Sequence, residues 1–123
     1  MTNPAETLRA AATKLREMAE AATPGPWFLT THRESHPRIW GNGEGDDMAD
    51  PVTEPCSSYA NAALIATLGP DFAAMVADIF DREADVIEEA HALLPPAFVA
   101  GALSKPSMVA IFATARHVLG EAS

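Results

Sequence analysis

The stretch Ala22-Thr23-Pro24-Gly25-Pro26-Trp27 decides how this chain is arranged. Two prolines around one glycine cannot continue a helix, so the chain turns here. Trp27 follows at once and is large enough to anchor the new direction. Upstream the pattern is helical, downstream come short β-like runs and Gly-rich loops, and helical patterns return near Ser57. The sequence therefore predicts an α+β fold: one N-terminal helix, a small antiparallel β-meander, and then a C-terminal helical bundle.

The segment before the turn has the apolar period of a helix. Thr2 or Asn3 is a suitable N-cap, and Pro4 fits the first helical position. Small and apolar residues recur at three- and four-residue steps: Leu8, Ala11, Ala12, Leu15, Met18, Ala19 and Ala22. We expect a helix over residues 4–22, and its alanines allow a partner helix to approach closely.

The segment after the turn, residues 27–54, is predicted to form two or three strands. Trp27–Thr31 and Arg38–Trp40 are rich in aromatic and β-branched residues, as strands are. Pro51–Glu54 is expected to form a third strand at the sheet edge, because its prolines exclude a central position. An acidic, glycine-rich loop begins at Gly41 and ends at Asp47.

Helices are expected over residues 58–121. Gly69 ends a short helix and Pro70 opens the longest one, about residues 70–93. Its buried stripe is predicted to comprise Phe72, Met75, Val76, Ile79, Phe80, Ile87, Ala90 and Leu94. Its other face carries six acidic residues: Asp71, Asp78, Asp81, Asp85, Glu88 and Glu89. We expect residues 1–123 to form a single domain.

Composition narrows the function classes. The 123-residue chain is 48% hydrophobic and has a formal net charge of -9, from 17 acidic and 8 basic residues. This charge disfavours binding to nucleic acid. No apolar run approaches the roughly 20 residues of a membrane span, and the N-terminus lacks the pattern of a secretion signal. The single cysteine, Cys56, excludes an internal disulfide and suits a reducing cytoplasm.

The last helix predicts self-association. It is apolar around most of its girth, which is typical of a helix in a core or at a subunit interface. Symmetric dimers are the commonest oligomers. We expect a homodimer whose interface is formed by Phe98, Val99, Met108, Val109 and Phe112.

Patterns that resemble metal or nucleophile sites fail on their spacing or context. His32 and His36 are expected in a solvated turn, because Pro37 disfavours a helix there. Glu88-x-x-His91 has the spacing of a di-iron ligand pair, but such a site needs that pair twice. Cys56 precedes a helix start and has no nucleophile motif around it. We predict no catalytic residues, no cofactor and no metal site.

Two sets of residues leave an alternative function open. Trp27, Trp40 and Tyr59 are candidates to line a stacking pocket for a base, although such residues more often lie in a core. The acidic stripe of the long helix is a candidate to bind a divalent cation, although a solvated face is more common. Together they would make a small-ligand (nucleotide) binder or a metal-dependent nucleotide hydrolase.

Three stretches taken in order carry a resemblance to a known family. They are Leu15–Trp27, then Asn61-Ala62-Ala63-Leu64-Ile65-Ala66, and then Gly69-Pro70 leading a long helix. This set resembles the ead-like proteins, small proteins of phage early regions and prophages, over about residues 8–93. The Ala-rich ending, Ala113–Glu121, looks most like members from actinobacterial phages. The resemblance implies a phage or prophage accessory protein in the host cytoplasm, and it supplies no activity or catalytic residues.

The sequence therefore predicts a non-enzymatic protein that binds a host or phage protein. The expected contact surface is the acidic face of the long helix, because an acidic chain without a credible catalytic set favours docking to a basic partner. The alternatives are the ligand or nucleotide site above and a purely self-assembling protein.

Overall fold

The computed structural model describes residues 3–30, 38–41, 50–53 and 59–121. Over these ranges it contains α1 (Pro4–Ala21), β1 (Phe28–Thr30), β2 (Arg38–Gly41), β3 (Asp50–Pro51), α2 (Tyr59–Thr67), α3 (Pro70–Leu93), α4 (Pro96–Leu103) and α5 (Pro106–Val118). The order confirms the predicted α+β class. The predicted turn with His32 and His36, most of the acidic loop, and Cys56 lie outside the described residues.

The three strands form the predicted antiparallel meander, in the order β1-β2-β3. Phe28 lies opposite Trp40 in the first pair, and Trp40 lies opposite Pro51 in the second. Pro51 is thus in an edge strand, as its missing N–H requires. The chain continues past β3 with the Val52 N–H donating to the Ile39 carbonyl at 2.8 Å.

The chain divides into two compact units. We call Met1–Arg16 with Met75–Ser123 the helical unit, and Glu17–Ala74 the sheet unit. The boundaries fall within α1 and within α3. The single-domain expectation stays a prediction.

The helical unit has a core in which alanines contribute many of the contacts. Its fully or almost fully buried residues are Ala5, Leu8, Ala11, Ala12, Ala77, Phe80, Ala84, Ile87, Phe112 and Ala115. The alanines let the backbones of neighbouring helices approach closely, and Leu8 and Phe80 fill the space between them. Burial of a side chain of that size contributes about 1.5–3 kcal/mol.

The buried side of α3 differs from the predicted stripe. Met75 and Ile79 are 62% and 48% exposed, and Phe72 and Leu94 are also exposed. Phe80 and Ile87 are buried as predicted. The buried side of α3 is the one that packs in the core with α1. Because α1 contributes alanines to this core, α3 buries its own small residues Ala77 and Ala84 there, which permits close packing.

Local signals set the helix ends. The Asn3 carboxamide oxygen accepts a hydrogen bond of 2.8 Å from the Ala5 N–H, so Asn3 is the N-cap of α1. At the other end of the chain, Gly120 has φ +76° after α5. The Gly120 N–H bonds to the His117 carbonyl and the Glu121 N–H to the Arg116 carbonyl, the pattern of a Schellman cap.

In the sheet unit, α2 contacts β1 and β2. Ala62 of α2 and Ile39 of β2 are fully buried. Gly69 separates α2 from α3, and Pro70 is the first residue of α3, as predicted. The beginning of α3 is thus placed in the same unit as the Pro-Gly-Pro turn.

Candidate functional site: an acidic ridge held by two arginines

Four acidic residues of α3 form a row that we call the acidic ridge: Asp78, Asp81, Asp85 and Glu88. Their successive separations of three and four residues place them on one face of the helix. Arg9 and Arg16 of α1 are seven residues apart, two helical turns, and point to the same ridge. All six residues lie in the helical unit.

Each arginine binds at least two carboxylates. The Arg9 guanidinium lies 2.7 Å from Asp85, 2.9 Å from Glu88 and 3.7 Å from Asp81. The Arg16 guanidinium lies 2.6 Å from Asp81 and 2.8 Å from Asp78. Asp81 is the shared member, with one carboxylate oxygen toward each arginine. The result is a continuous chain of alternating charges along the α1–α3 contact.

The pKa of Arg9 is raised, chiefly by its hydrogen bond to Glu88 and secondly by its hydrogen bond to Asp85. Those with Asp78 and then Asp81 raise the pKa of Arg16 in the same way. A raised pKa of the cation means that, while its carboxylate partners are ionised, its contribution is lost only in strongly alkaline solution. Both arginine side chains are more than one-third exposed, so solvent screens the pairs and reduces their contribution to the stability of the fold.

The ridge remains negative after this pairing. Four carboxylates and two guanidinium groups together carry a formal charge of -2. The side chains of Asp78, Asp85 and Glu88 are 64%, 70% and 55% exposed. Each of these three binds its arginine through one oxygen, and its second oxygen has no hydrogen bond to a described residue.

The other two residues of the predicted acidic face do not join the ridge. Asp71 belongs to the sheet unit, and its carboxylate oxygens lie 3.0 Å from the position a Cβ on Gly25 would take. Glu89 is exposed and has no ion pair with any described residue. The predicted face of six acidic residues stays a prediction, and four of the six form the ridge.

Sequence reasoning missed the role of the two arginines. Arg9 and Arg16 are not among the apolar residues that predict this helix, and the sequence analysis assigned them no role or partner. The signal that would have found them is the spacing: two arginines seven residues apart on one helix match acidic residues at the same interval, such as Asp78 and Asp85, on another.

Trp27, a predicted pocket residue, anchors the sheet unit. Its indole N–H donates a 2.8 Å hydrogen bond to the Thr23 carbonyl. A Cβ on Gly41 would come within 2.8 Å of the ring, and one on Gly69 within 3.1 Å. Two glycines thus make the space that the indole occupies. Two of the elements that carry the resemblance, the Pro-Gly-Pro-Trp turn and Gly69-Pro70, therefore meet around one side chain.

The other two pocket candidates give no support to a stacking site. The Arg38 guanidinium lies 5.5 Å from the centre of the Trp40 ring, in cation–π contact. The side chain of Tyr59 lies outside the described part of the structure. Trp27 and Trp40 thus have partners within the sheet unit.

The predicted dimer interface contains two residues that a second chain cannot reach. Val99 and Phe112 are 3% and 8% exposed, because they are buried within the helical unit itself. The predicted interface as a whole stays a prediction. Phe98 and Val109 are 70% and 54% exposed and remain accessible.

Met108, the fifth predicted interface residue, lines an open apolar groove in the helical unit. The groove is shallow and open to solvent. Its other lining residues are Glu83, Val86, Ile87, Ala90, Val99, Ala102 and Leu103, from α3 and α4. Glu83 is the charged member of this lining.

Within residues 3–30, 38–41, 50–53 and 59–121, no group of three or more His, Cys, Asp or Glu side chains is arranged to hold a metal ion. Over the same ranges, no single helix has the length and apolar composition to cross a membrane. Two pairs of consecutive helices, α2 with α3 and α4 with α5, have that length and composition when taken together, but each pair is bent.

Comparison of the chain with models of protein families, with curated proteins and with solved structures finds no match. The resemblance to the ead-like proteins therefore stays a prediction carried by the residues quoted for it.

Proposed function

We propose that this chain is a small, non-enzymatic phage or prophage accessory protein that binds a host or phage protein in the host cytoplasm. The contact surface is the acidic ridge. The observation that carries the proposal is the set of three exposed carboxylates, Asp78, Asp85 and Glu88, each held by an arginine through one oxygen only.

Charge supports a basic partner. The ridge keeps a formal charge of -2 within a chain whose formal net charge is -9. Such a surface attracts a basic patch during diffusional encounter and disfavours acidic partners and nucleic acid. Arginine or lysine side chains of the partner would take the second oxygen of each exposed carboxylate.

Pre-organisation supports binding as well. A free acidic side chain loses rotamer freedom when a partner captures it, which costs about 0.5–1.5 kcal/mol for each immobilised side chain. Arg9 and Arg16 already restrict the ridge carboxylates at bond lengths of 2.6 to 2.9 Å. The partner therefore meets a row of carboxylates with part of this ordering complete.

The test is affinity capture from a host lysate with the tagged full chain. The variant Asp78→Asn/Asp85→Asn/Glu88→Gln removes three charges from the ridge and leaves Asp81 to hold both arginines. We expect it to lose the captured protein, as measured by quantitative mass spectrometry of the eluates.

The matched control removes three other exposed charges: Glu17→Gln/Glu20→Gln/Glu121→Gln. We expect this control to capture the same protein as the native chain. It loses the same number of negative charges as the ridge variant, but its ridge is intact. Equal capture by both variants would show that the ridge is not the contact surface.

A further inference from the structure

A third face of α3, distinct from its core stripe and from the acidic ridge, carries a heptad-like row. We call it the outer seam: Met75, Ile79, Arg82, Val86, Glu89 and Leu93. Successive members are separated by four, three, four, three and four residues. This is the a/d spacing of a helix that packs along another helix. We propose that the outer seam is a self-association surface, on which α3 of a second copy packs antiparallel.

The seam is exposed where a core stripe would be buried. Met75, Val86 and Leu93 are 62%, 56% and 72% exposed. At 100° per residue, the seam lies on the side of α3 opposite the buried residues Ala77, Phe80, Ala84 and Ile87. The packing inside the helical unit therefore leaves a second apolar stripe of α3 unused, about 27 Å long from Met75 to Leu93.

The two charged members of the seam identify a second copy as the occupant. Arg82 and Glu89 are exposed, and neither has an ion pair with a described residue. They have opposite charge and are seven residues apart, so they are too distant to pair directly on the same helix. When a second copy of the seam runs in the opposite direction, its anion lies near the cation of the first copy and its cation lies near the anion.

An antiparallel pair with its two-fold axis at the level of Ala84 satisfies both charges. It places Met75 of one copy level with Leu93 of the other, and Arg82 level with Val86. Glu89 of the second copy then lies one helical turn from the Arg82 level, about 4.5 Å along the axis. Because the contact is two-fold symmetric, the same pair forms twice.

Acidic residues flank the seam on both sides: Asp78 and Asp85, which arginines of α1 bind, and Glu83 on the opposite side. Asp85 lies beside the two-fold axis, and Arg9 of the same chain binds it at 2.7 Å. This internal pair offsets the repulsion between the two Asp85 carboxylates. The inference is independent of the proposed function, which uses the acidic ridge and a different protein.

The first test is the mass of the full chain in solution, by sedimentation equilibrium over a range of concentrations. We expect the native chain to be a dimer. Ile79→Lys/Val86→Lys should shift it to a monomer, because both lysines would enter the seam. Val109→Lys, an exposed apolar residue of α5 outside the seam, is the control and should stay dimeric.

Charge reversal tests the orientation. Arg82→Glu alone and Glu89→Arg alone each place two like-charged pairs in the antiparallel contact, and we expect each to raise the dimer dissociation constant about tenfold. The double variant Arg82→Glu/Glu89→Arg should restore the native value. A mixture of the two single variants should form a heterodimer.

A native chain that is monomeric at all concentrations would overturn the inference. A dimer that Val109→Lys dissociates and Ile79→Lys/Val86→Lys does not would place the interface on α5 and would also overturn it. Charge-reversal variants that dimerise like the native chain would rule out the antiparallel pairing. Far-UV circular dichroism of each monomeric variant confirms that α3 is still folded.

Discussion

Single atoms decide the geometry around Trp27. The indole occupies space that exists only because residues 41 and 69 have no side chain. At Gly41, a Cβ would lie 2.8 Å from the Pro24 carbonyl oxygen and 2.8 Å from the indole ring. The first of these contacts is with backbone, which cannot rotate away as the end of a flexible side chain can.

Gly41→Ala should therefore destabilise the protein by about 1–3 kcal/mol, the usual cost of overpacking a well-filled site. Gly101→Ala is its control: Gly101 lies in α4, and a Cβ there meets nothing within 4 Å. The control should stabilise the protein by about 0.5–1 kcal/mol, because alanine replaces glycine inside a helix. Chemical denaturation of the two variants measures both values, and an unchanged midpoint for Gly41→Ala would contradict the close contact.

At the residue scale, the sequence predicted where the chain turns, but it did not predict which residues contact Trp27. Two prolines, a glycine and Trp27 predicted the turn from local chemistry alone. The glycines that receive the indole are 14 and 42 residues further along the chain, and no local pattern marks a glycine as the seat of a particular side chain. The prediction that Trp27 lines a pocket did not include its hydrogen bond to the Thr23 carbonyl, because no local pattern indicates which group the indole N–H will bind.

At the scale of elements, the contact between α1 and α3 organises the helical unit. One side of it is a core of small side chains, and the other is the acidic ridge with Arg9 and Arg16. Residues of both helices belong to the same buried core, and guanidinium groups of α1 lie 2.6–3.7 Å from carboxylates of α3. The core and the ridge therefore join the same two helices.

Ala84→Leu should destabilise the protein by about 1–3 kcal/mol, since Ala84 is fully buried in this contact and three added carbons have no space. Ala92→Leu places the same side chain at an exposed position of the same helix and should change the stability by less than about 0.5 kcal/mol. Thermal unfolding followed by circular dichroism compares the two. A native melting temperature for Ala84→Leu would mean that the helices are less closely packed than described.

The sequence predicted the positions of the helices and strands well. It predicted less well which side of α3 is buried. The beginning of α1, the break at Gly69-Pro70 and the strand around Ile39 follow from capping residues, breakers and β-branched side chains, which act locally. Hydrophobicity alone made Met75 and Ile79 better candidates for burial than Ala77 and Ala84. Which side of α3 is buried depends on the shape of α1, and that information is not contained in the sequence of α3.

At the scale of the whole molecule, the two units offer separate reporters. Trp27 and Trp40 are the two tryptophans of the chain, and both belong to the sheet unit. Most helical residues belong to the helical unit. Tryptophan fluorescence therefore follows one unit, while circular dichroism at the helical band follows mainly the other.

The two signals should change together during unfolding by denaturant. Coincident transitions are the mark of a single cooperative domain, as expected from the length and composition of the chain. The boundaries between the two units fall within α1 and within α3. Two separated midpoints would show that the units unfold independently and would contradict the single-domain prediction.

The distance along the chain between Arg9 and Glu88, 79 residues, has a consequence for synthesis. The ribosome synthesises α1 first, and α3, which covers its apolar stripe, begins only after the 48 residues that lie between the two helices. During that interval Leu8 and its neighbouring alanines have no native partner, so the nascent chain resembles an exposed hydrophobic peptide. Completion of α3 ends this period, and a chain truncated before Ala77 would remain a client of chaperones and proteases.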